Sequence, residues 1–237
     1  FPLPFSDKDL NVYTEASKKG AQLCLDNFLK ENPLFKDKIT IEFIDDQGDR
    51  KNAVKVSKKL SSNKNIVAVI GHMFTQCSMA TQKVYNEEKI PQLIIFSTGD
   101  ELSENNTFTF RLTYHNENVA PKFCSFINKK MNKNKVSVYY EYNFYAKSLY
   151  ENRVKSSKVN NLTIASGESY SSEIKNNHEK TLKVMLDKKP DSLIVLGTSQ
   201  VAEIIQAIKK LNANIPILLP DSCFSELFLD MIDKDYK

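Results

Sequence analysis

Short apolar runs of strand length alternate with segments of helical spacing along the whole chain, and this alternation limits the fold more than any other feature. Residues 18–31 carry Ala21, Leu25, Phe28 and Leu29 at helical intervals and stop at Asn32-Pro33. Residues 39–44 are rich in β-branched side chains and read as a strand, followed by a turn over 45–49 and a helix from about 50 to 61. The run 66–70 is continuous and apolar, the pattern of a strand buried on both faces of a parallel sheet. Strands over 91–96, 135–140, 162–166, 192–196 and 215–219 continue the series, separated by helices over 77–88, 119–131, 146–155, 177–186 and 201–211. Such an order predicts an α/β chain with right-handed crossovers and parallel sheets flanked by helices. Seven strands can make one wide sheet or two smaller ones.

The 237 residues suffice for two lobes of ordinary size, each with its own core. Hydrophobic residues at 41% and charged residues at 26% place the chain among globular proteins. No apolar run approaches the ~18 residues of a membrane span. The 33 Lys+Arg and 29 Asp+Glu are interspersed, so the net charge of +4 gives no ground for a nucleic-acid partner. Cys24, Cys77, Cys124 and Cys223 lack the CxxC spacing of a zinc or thioredoxin-like site. Cys24 and Cys124 fall on apolar helix faces and are expected as buried thiols, while a disulfide at Cys77 stays open.

Ligands of open α/β sheets bind beyond the carboxyl ends of the strands. The loops there begin at Asp45, Gly71, Ser97, Glu141 and Pro220, and they carry Thr75, Ser78, Ser97, Thr98, Tyr142, Tyr145 and Asp221. Hydroxyls, aromatics and a carboxylate in that combination suit a small polar or zwitterionic molecule. Hydroxyls at strand ends also cap helices, which is the competing account of each one singly. For catalysis there is little. His72, His115 and His178 are far apart in sequence, and the chain lacks GxSxG, HExxH, Walker and GxGxxG patterns. Asp45-Asp46 reads as part of a turn in preference to a metal site or acid–base dyad. The chain is therefore expected not to be an enzyme, and no cofactor or metal site is expected.

Several segments resemble the type 1 periplasmic binding proteins, the ABC-transporter substrate-binding or extracellular ligand-binding receptor family. They are Gly20 to Asn27, Ile44-Asp45-Asp46-Gln47-Gly48-Asp49 with Ala53-Val54, Val67-Ala68-Val69-Ile70-Gly71-His72, Ile90-Pro91 through Ser97-Thr98, and Phe110-Arg111-Leu112-Thr113. Lys135 to Tyr140 with Phe144-Tyr145, and Pro190-Asp191-Ser192-Leu193-Ile194, extend the likeness into the second half. The nearest branch is that of the Leu/Ile/Val-binding proteins. The resemblance implies a two-lobed, Venus-flytrap architecture, with a first lobe over 1–115 (its N-terminal part only) and a second over 116–237. It implies a ligand carboxylate held by Thr75, Ser97 and Thr98, an ammonium taken by Asp221, Tyr145 as second-lobe aromatic and Tyr13 as a first-lobe side wall. Hydrogen bonds to an ion are roughly twice as strong as neutral ones, so uncharged donors can serve such a site.

Departures from the family pattern affect the ligand. Ala146 stands where glycine is usual, Gly197-Thr198 replaces an aromatic and would widen the pocket or leave it wetter, and Phe74 beside Thr75 would narrow it from the other side. The implied function is extracytoplasmic binding of a small amino acid or related carboxylate for delivery to the permease of an ABC importer, in the periplasm, with or without a lipid anchor. The alternatives are the sensing domain of a membrane receptor (kinase, cyclase or chemoreceptor) or a ligand-free interaction module of the same fold. Phe1–Phe5 reads as the tail of a first strand, and Lys237 falls where the family chain crosses back to the first lobe. The expectation is a chain short of the family's length, whose open sheet edges offer a route to self-association.

Overall fold

The computed structural model describes residues 1–232 except 9, 104, 105, 199 and 225. The chain forms two compact units, Phe1–Tyr114 and His115–Lys237. Every strand pairing among the described residues is parallel. Among the described residues no helix is long and apolar enough to cross a membrane.

The second unit follows its sequence closely. Strands β6 (Lys135–Glu141), β7 (Thr163–Tyr170), β8 (Ser192–Leu196) and β9 (Ile217–Leu218) form a sheet of order β7-β6-β8-β9. All five residues of β8 are buried, as a strand covered on both faces requires. Leu193 and Val195 join Leu182 and Met185 of α6 (His178–Asp187) and Ile204 and Ile208 of α7 (Val201–Lys210). Ile194 and Leu196 point the other way, with Val136 and Val138, against Cys124 of α4 (Asn116–Ser125) and Leu149 of α5 (Phe144–Val159). Alternate side chains of one strand thus supply two cores. Strand β7 runs four residues past its expected end and shifts register opposite Val136 and Ser137.

The first unit is less regular. Strands β1 (Pro2–Leu3) and β2 (Ile44–Asp45) pair with each other, while β3 (Val69–Ile70), β4 (Gln92–Ile94) and β5 (Thr109–Arg111) form a separate three-stranded sheet. The strand expected over 39–44 shrinks to its last residue plus Asp45, because its partner offers only Pro2 and Leu3 for the ladder. The run 66–70 is not buried on both faces: Val67 is 82% exposed and precedes the ladder, and Ile70 is 36% exposed. Strand β5 was not expected; three residues are too few for a period-2 signal.

Helix α1 spans Asn11–Glu31 and begins seven residues before its apolar spacing does. Thr14 is its buried residue, and Leu23, Cys24 and Phe28 are exposed. The expectation of a buried Cys24 thiol is corrected: Cys24 lies beside Leu23 on the exposed side of α1, while Ala21, Leu25 and Leu29 of the apolar spacing are half-buried. Helices α2 (Arg50–Ser62) and α3 (Thr75–Glu87) supply Leu60 and Tyr85 to a small core with Val69 and Ile90. Cys77, left open as a disulfide partner, is a buried free thiol, and Cys124 is buried as expected.

Candidate functional site

In the first unit the site residues gather where β3 and β4 end. The loop after β3 runs from Gly71 to Phe74 and enters α3 at Thr75. Phe74 occupies the N-cap and supplies no side-chain acceptor, so the helix presents its amino end without the usual Ser, Thr, Asp or Asn cap. The loop after β4 holds Ser97, Thr98 and Gly99. Ser97 Oγ donates to the Met73 carbonyl at 3.0 Å and lies 2.8 Å from Ser78 Oγ, itself a donor to the His72 carbonyl at 3.1 Å. A Cβ on Gly99 would sit 2.6 Å from Thr75 Cγ2, so glycine permits this close approach of the two loops. Thr75, Ser97 and Thr98 are thereby brought together and all are buried.

Their hydroxyls differ in one respect. Ser97 is committed to the loop, whereas Thr98 Oγ1 is buried with no hydrogen-bond partner among the described residues. Leaving a buried hydroxyl unpaired costs about 1–3 kcal/mol, so its position calls for an explanation. Tyr13 lies in the first turn of α1, half-buried, and no hydrogen bond among the described residues joins it to the three hydroxyls. Phe74 packs over the neighbouring turn: a Cβ on Gly48 would lie 2.7 Å from its ring and 3.5 Å from Pro4.

Beneath the loop lies a network that sequence reasoning missed. Asp46 Oδ1 accepts from the Gly48 N–H at 2.9 Å, as the expected turn requires, but Oδ2 lies 2.6 Å from His72 Nδ1. His72 Nε2 is 3.1 Å from the Tyr85 hydroxyl, and all three side chains are buried. Only the spatial pairing of two loops reveals it. Burial pushes the Tyr85 phenol well above its ordinary range, with the Asp46 carboxylate adding to the effect. Burial likewise drives the Cys77 thiol up to about 12, which keeps it protonated and a poor nucleophile at neutral pH.

In the second unit, Tyr145 and Asp221 meet. Asn143 caps α5 by accepting from the Ala146 N–H at 2.8 Å, which sets Tyr145 in the first turn. Asp221 follows β9, in an exposed position, and its Oδ1 accepts from the Tyr145 hydroxyl at 2.6 Å. Ser222 Oγ donates to the Gly197 carbonyl at 2.7 Å. Gly197 does not open space, contrary to the sequence expectation: a Cβ there would overlap the Tyr170 hydroxyl and come within 3.1 Å of Glu141. Tyr170 and Glu141 occupy that volume instead. Glu141 was expected only as the start of a loop, yet its side chain is buried. Alternation from the buried Tyr139 carries the signal, since residues two apart share a face. Burial pushes the Tyr170 phenol up, followed in effect by Glu141, and the Cys223 thiol up to about 11. Among the described residues no cluster of His, Cys, Asp and Glu could hold a metal ion.

The fold has counterparts among known proteins. A family model described as periplasmic binding protein matches residues 10–223. Comparison with curated protein sequences finds no match. Among solved structures, the chain is similar to the branched-chain amino acid transporter substrate-binding protein LivJ of Streptococcus pneumoniae, in complex with isoleucine, at TM-score 0.81 and 21% identity, covering 98% of this chain and 66% of that one. It is similar to the leucine-binding protein LivK of Thermotoga maritima at TM-score 0.82 and 16% identity, covering 98% and 65%. A solute-binding protein of an ABC transporter from Rhodopseudomonas palustris, in complex with 3,4-dihydroxybenzoic acid, aligns at TM-score 0.74 and 14% identity, covering 98% and 64%. The chain thus spans just under two-thirds of the length of these structures.

Proposed function

The chain belongs to the periplasmic binding protein family, and from that premise we propose that it binds a small amino acid or a close carboxylate relative outside the cytoplasm and delivers it to an ABC importer. The observation that carries this reading is the buried Thr98 hydroxyl, unpaired in a loop packed against the uncapped start of α3. A helix N-terminus favours an anion through its free N–H groups and its dipole. Thr75 and Thr98 are the donors we assign to the ligand carboxylate, with Ser97 holding the loop. In the second unit, Asp221, oriented by Tyr145, is the acceptor we assign to the ammonium. Tyr13, half-buried in the first turn of α1, is the side wall we assign to the ligand. The solved relatives bound to isoleucine and to an aromatic acid share the need for a carboxylate holder, and the Asp221–Tyr145 pair favours a ligand that also carries a cation.

A thermal-shift panel of amino acids, small carboxylates and hydroxylated benzoates tests the reading. At a free ligand concentration about 100 times Kd, binding stabilises the folded state by about 2.7 kcal/mol. At least one amino acid is expected to raise the melting temperature by several degrees, with benzoates inert. Stabilisation by benzoates alone would reassign the ligand to acids without an ammonium, and a flat panel would remove the proposal.

A further inference from the structure

The peptide group between Gly197 and Thr198 is held from both sides. Its N–H, on Thr198, donates to Glu141 Oε2 at 2.8 Å, and the Thr198 hydroxyl reaches the same oxygen at 3.2 Å. Its C=O, on Gly197, accepts from Ser222 Oγ at 2.7 Å. Asp221 precedes Ser222 and accepts from Tyr145, which lies four residues after Glu141. A closed ring results: Glu141 to Thr198, across one peptide to Gly197, to Ser222, to Asp221, to Tyr145, and back through the chain. It links the loops that follow β6, β8 and β9.

Glu141 is the one buried carboxylate in that ring, only 3% exposed, at the last position of β6. Bonds to a carboxylate are shorter and stronger than neutral ones, and partial burial removes competing water. Gly197 has no side chain to restrain its peptide, and none would fit beside Tyr170. The orientation of this peptide therefore depends on its two hydrogen bonds, of which the one to Glu141 is charge-assisted.

We propose that Glu141 is a positioning residue: by clamping the Gly197–Thr198 peptide it fixes Ser222 and so aims the Asp221 carboxylate. The clamp rests on the reading of Asp221 as the ammonium acceptor only for its effect on ligand, not for its existence.

Hydrogen exchange of the whole chain, without ligand, tests the clamp. In Glu141→Ala the Thr198 amide is expected to exchange at least tenfold faster. The Cys223 and Phe224 amides, which bond to the Pro220 and Asp221 carbonyls, should speed up with it, while Leu193 to Leu196 stay protected. Glu141→Gln keeps the shape and one acceptor oxygen, so its Thr198 amide should exchange at an intermediate rate. Should Glu141→Ala lose protection in β8 as well, the Gln variant alone decides. Wild-type exchange at Thr198 in a variant whose β8 remains protected overturns the clamp. So does faster exchange at Thr198 with Cys223 and Phe224 unmoved. A second readout uses an amino acid that stabilises the wild type: Glu141→Ala should weaken its binding about tenfold, with partial recovery in Glu141→Gln. A panel inert toward the wild type would sink the proposed function and leave the exchange rates to decide the clamp.

Discussion

Replacing Asp221 with alanine is expected to weaken amino-acid binding by on the order of a hundredfold or more while leaving the fold intact. Asp221 is exposed in the free protein, on a short turn after β9, so its loss, which removes the exposed hydrogen bond from Tyr145, should cost about 1 kcal/mol of stability. With ligand bound, the carboxylate would face an ammonium withdrawn from water, and truncating one partner of such a pair costs about 2–5 kcal/mol. Each 1.4 kcal/mol is about tenfold in Kd. Tyr145→Phe should give a smaller loss, about tenfold, because it removes a hydrogen bond that orients the carboxylate and leaves the charge in place. Calorimetric titration of both variants checks this. An Asp221→Ala protein that binds as tightly as the wild type would remove Asp221 from the site.

The second large effect concerns stability. Asp46→Ala is expected to destabilise the first unit by about 3 kcal/mol. The carboxylate is fully buried and serves two donors at once, the Gly48 amide and His72 Nδ1. Its removal strands both, opens a void beside Tyr85, and loosens the loop whose His72 carbonyl receives Ser78. Tyr85→Phe, which removes only the outer hydroxyl of the network, should cost about 1 kcal/mol. Urea unfolding followed by a probe in the first unit measures both. A loss below about 1 kcal/mol for Asp46→Ala would show that water replaces the carboxylate, and the network would lose its structural importance.

How much of this was legible in the sequence differs between the two halves. In the second unit the apolar run 192–196 is a buried strand over the same residues, and the Val201 to Ile208 stripe packs on it. There the two-sided sheet makes burial follow the pattern. In the first unit the same signals misled. Residues 39–43 and Val67 look like strand core, but β1 offers a two-residue ladder and Val67 lies ahead of β3, outside its pairing with β4. Propensity cannot reveal how many partners a strand will find. Cys24 of α1, expected to be buried, is exposed beside Leu23, because a helical spacing does not say how much of a helix meets the core.

The site shows a similar division. Thr75, Ser97 and Thr98 were identified as strand-end hydroxyls, and the structure places them together. Tyr145 and Asp221 were named separately, 76 residues apart, and prove to be hydrogen-bonded. The supporting groups were not legible: Glu141 was a loop residue, Asp46 a turn residue and His72 an isolated histidine. Each acts through a partner far along the chain, and sequence separation hides such pairs. Gly197 shows the converse, since a missing side chain reads as empty space until Tyr170 is seen to fill it.

The most direct test is a calorimetric titration of the wild-type chain with three molecules of one carbon skeleton: the amino acid giving the largest thermal shift, the amine without its carboxylate, and the acid without its amine. If Thr75 and Thr98 hold a carboxylate and Asp221 an ammonium, the amino acid should bind and each half-analogue should bind at least about a hundredfold more weakly. Equal affinity for the acid and the amino acid, or no heat from any of the three, would contradict the account.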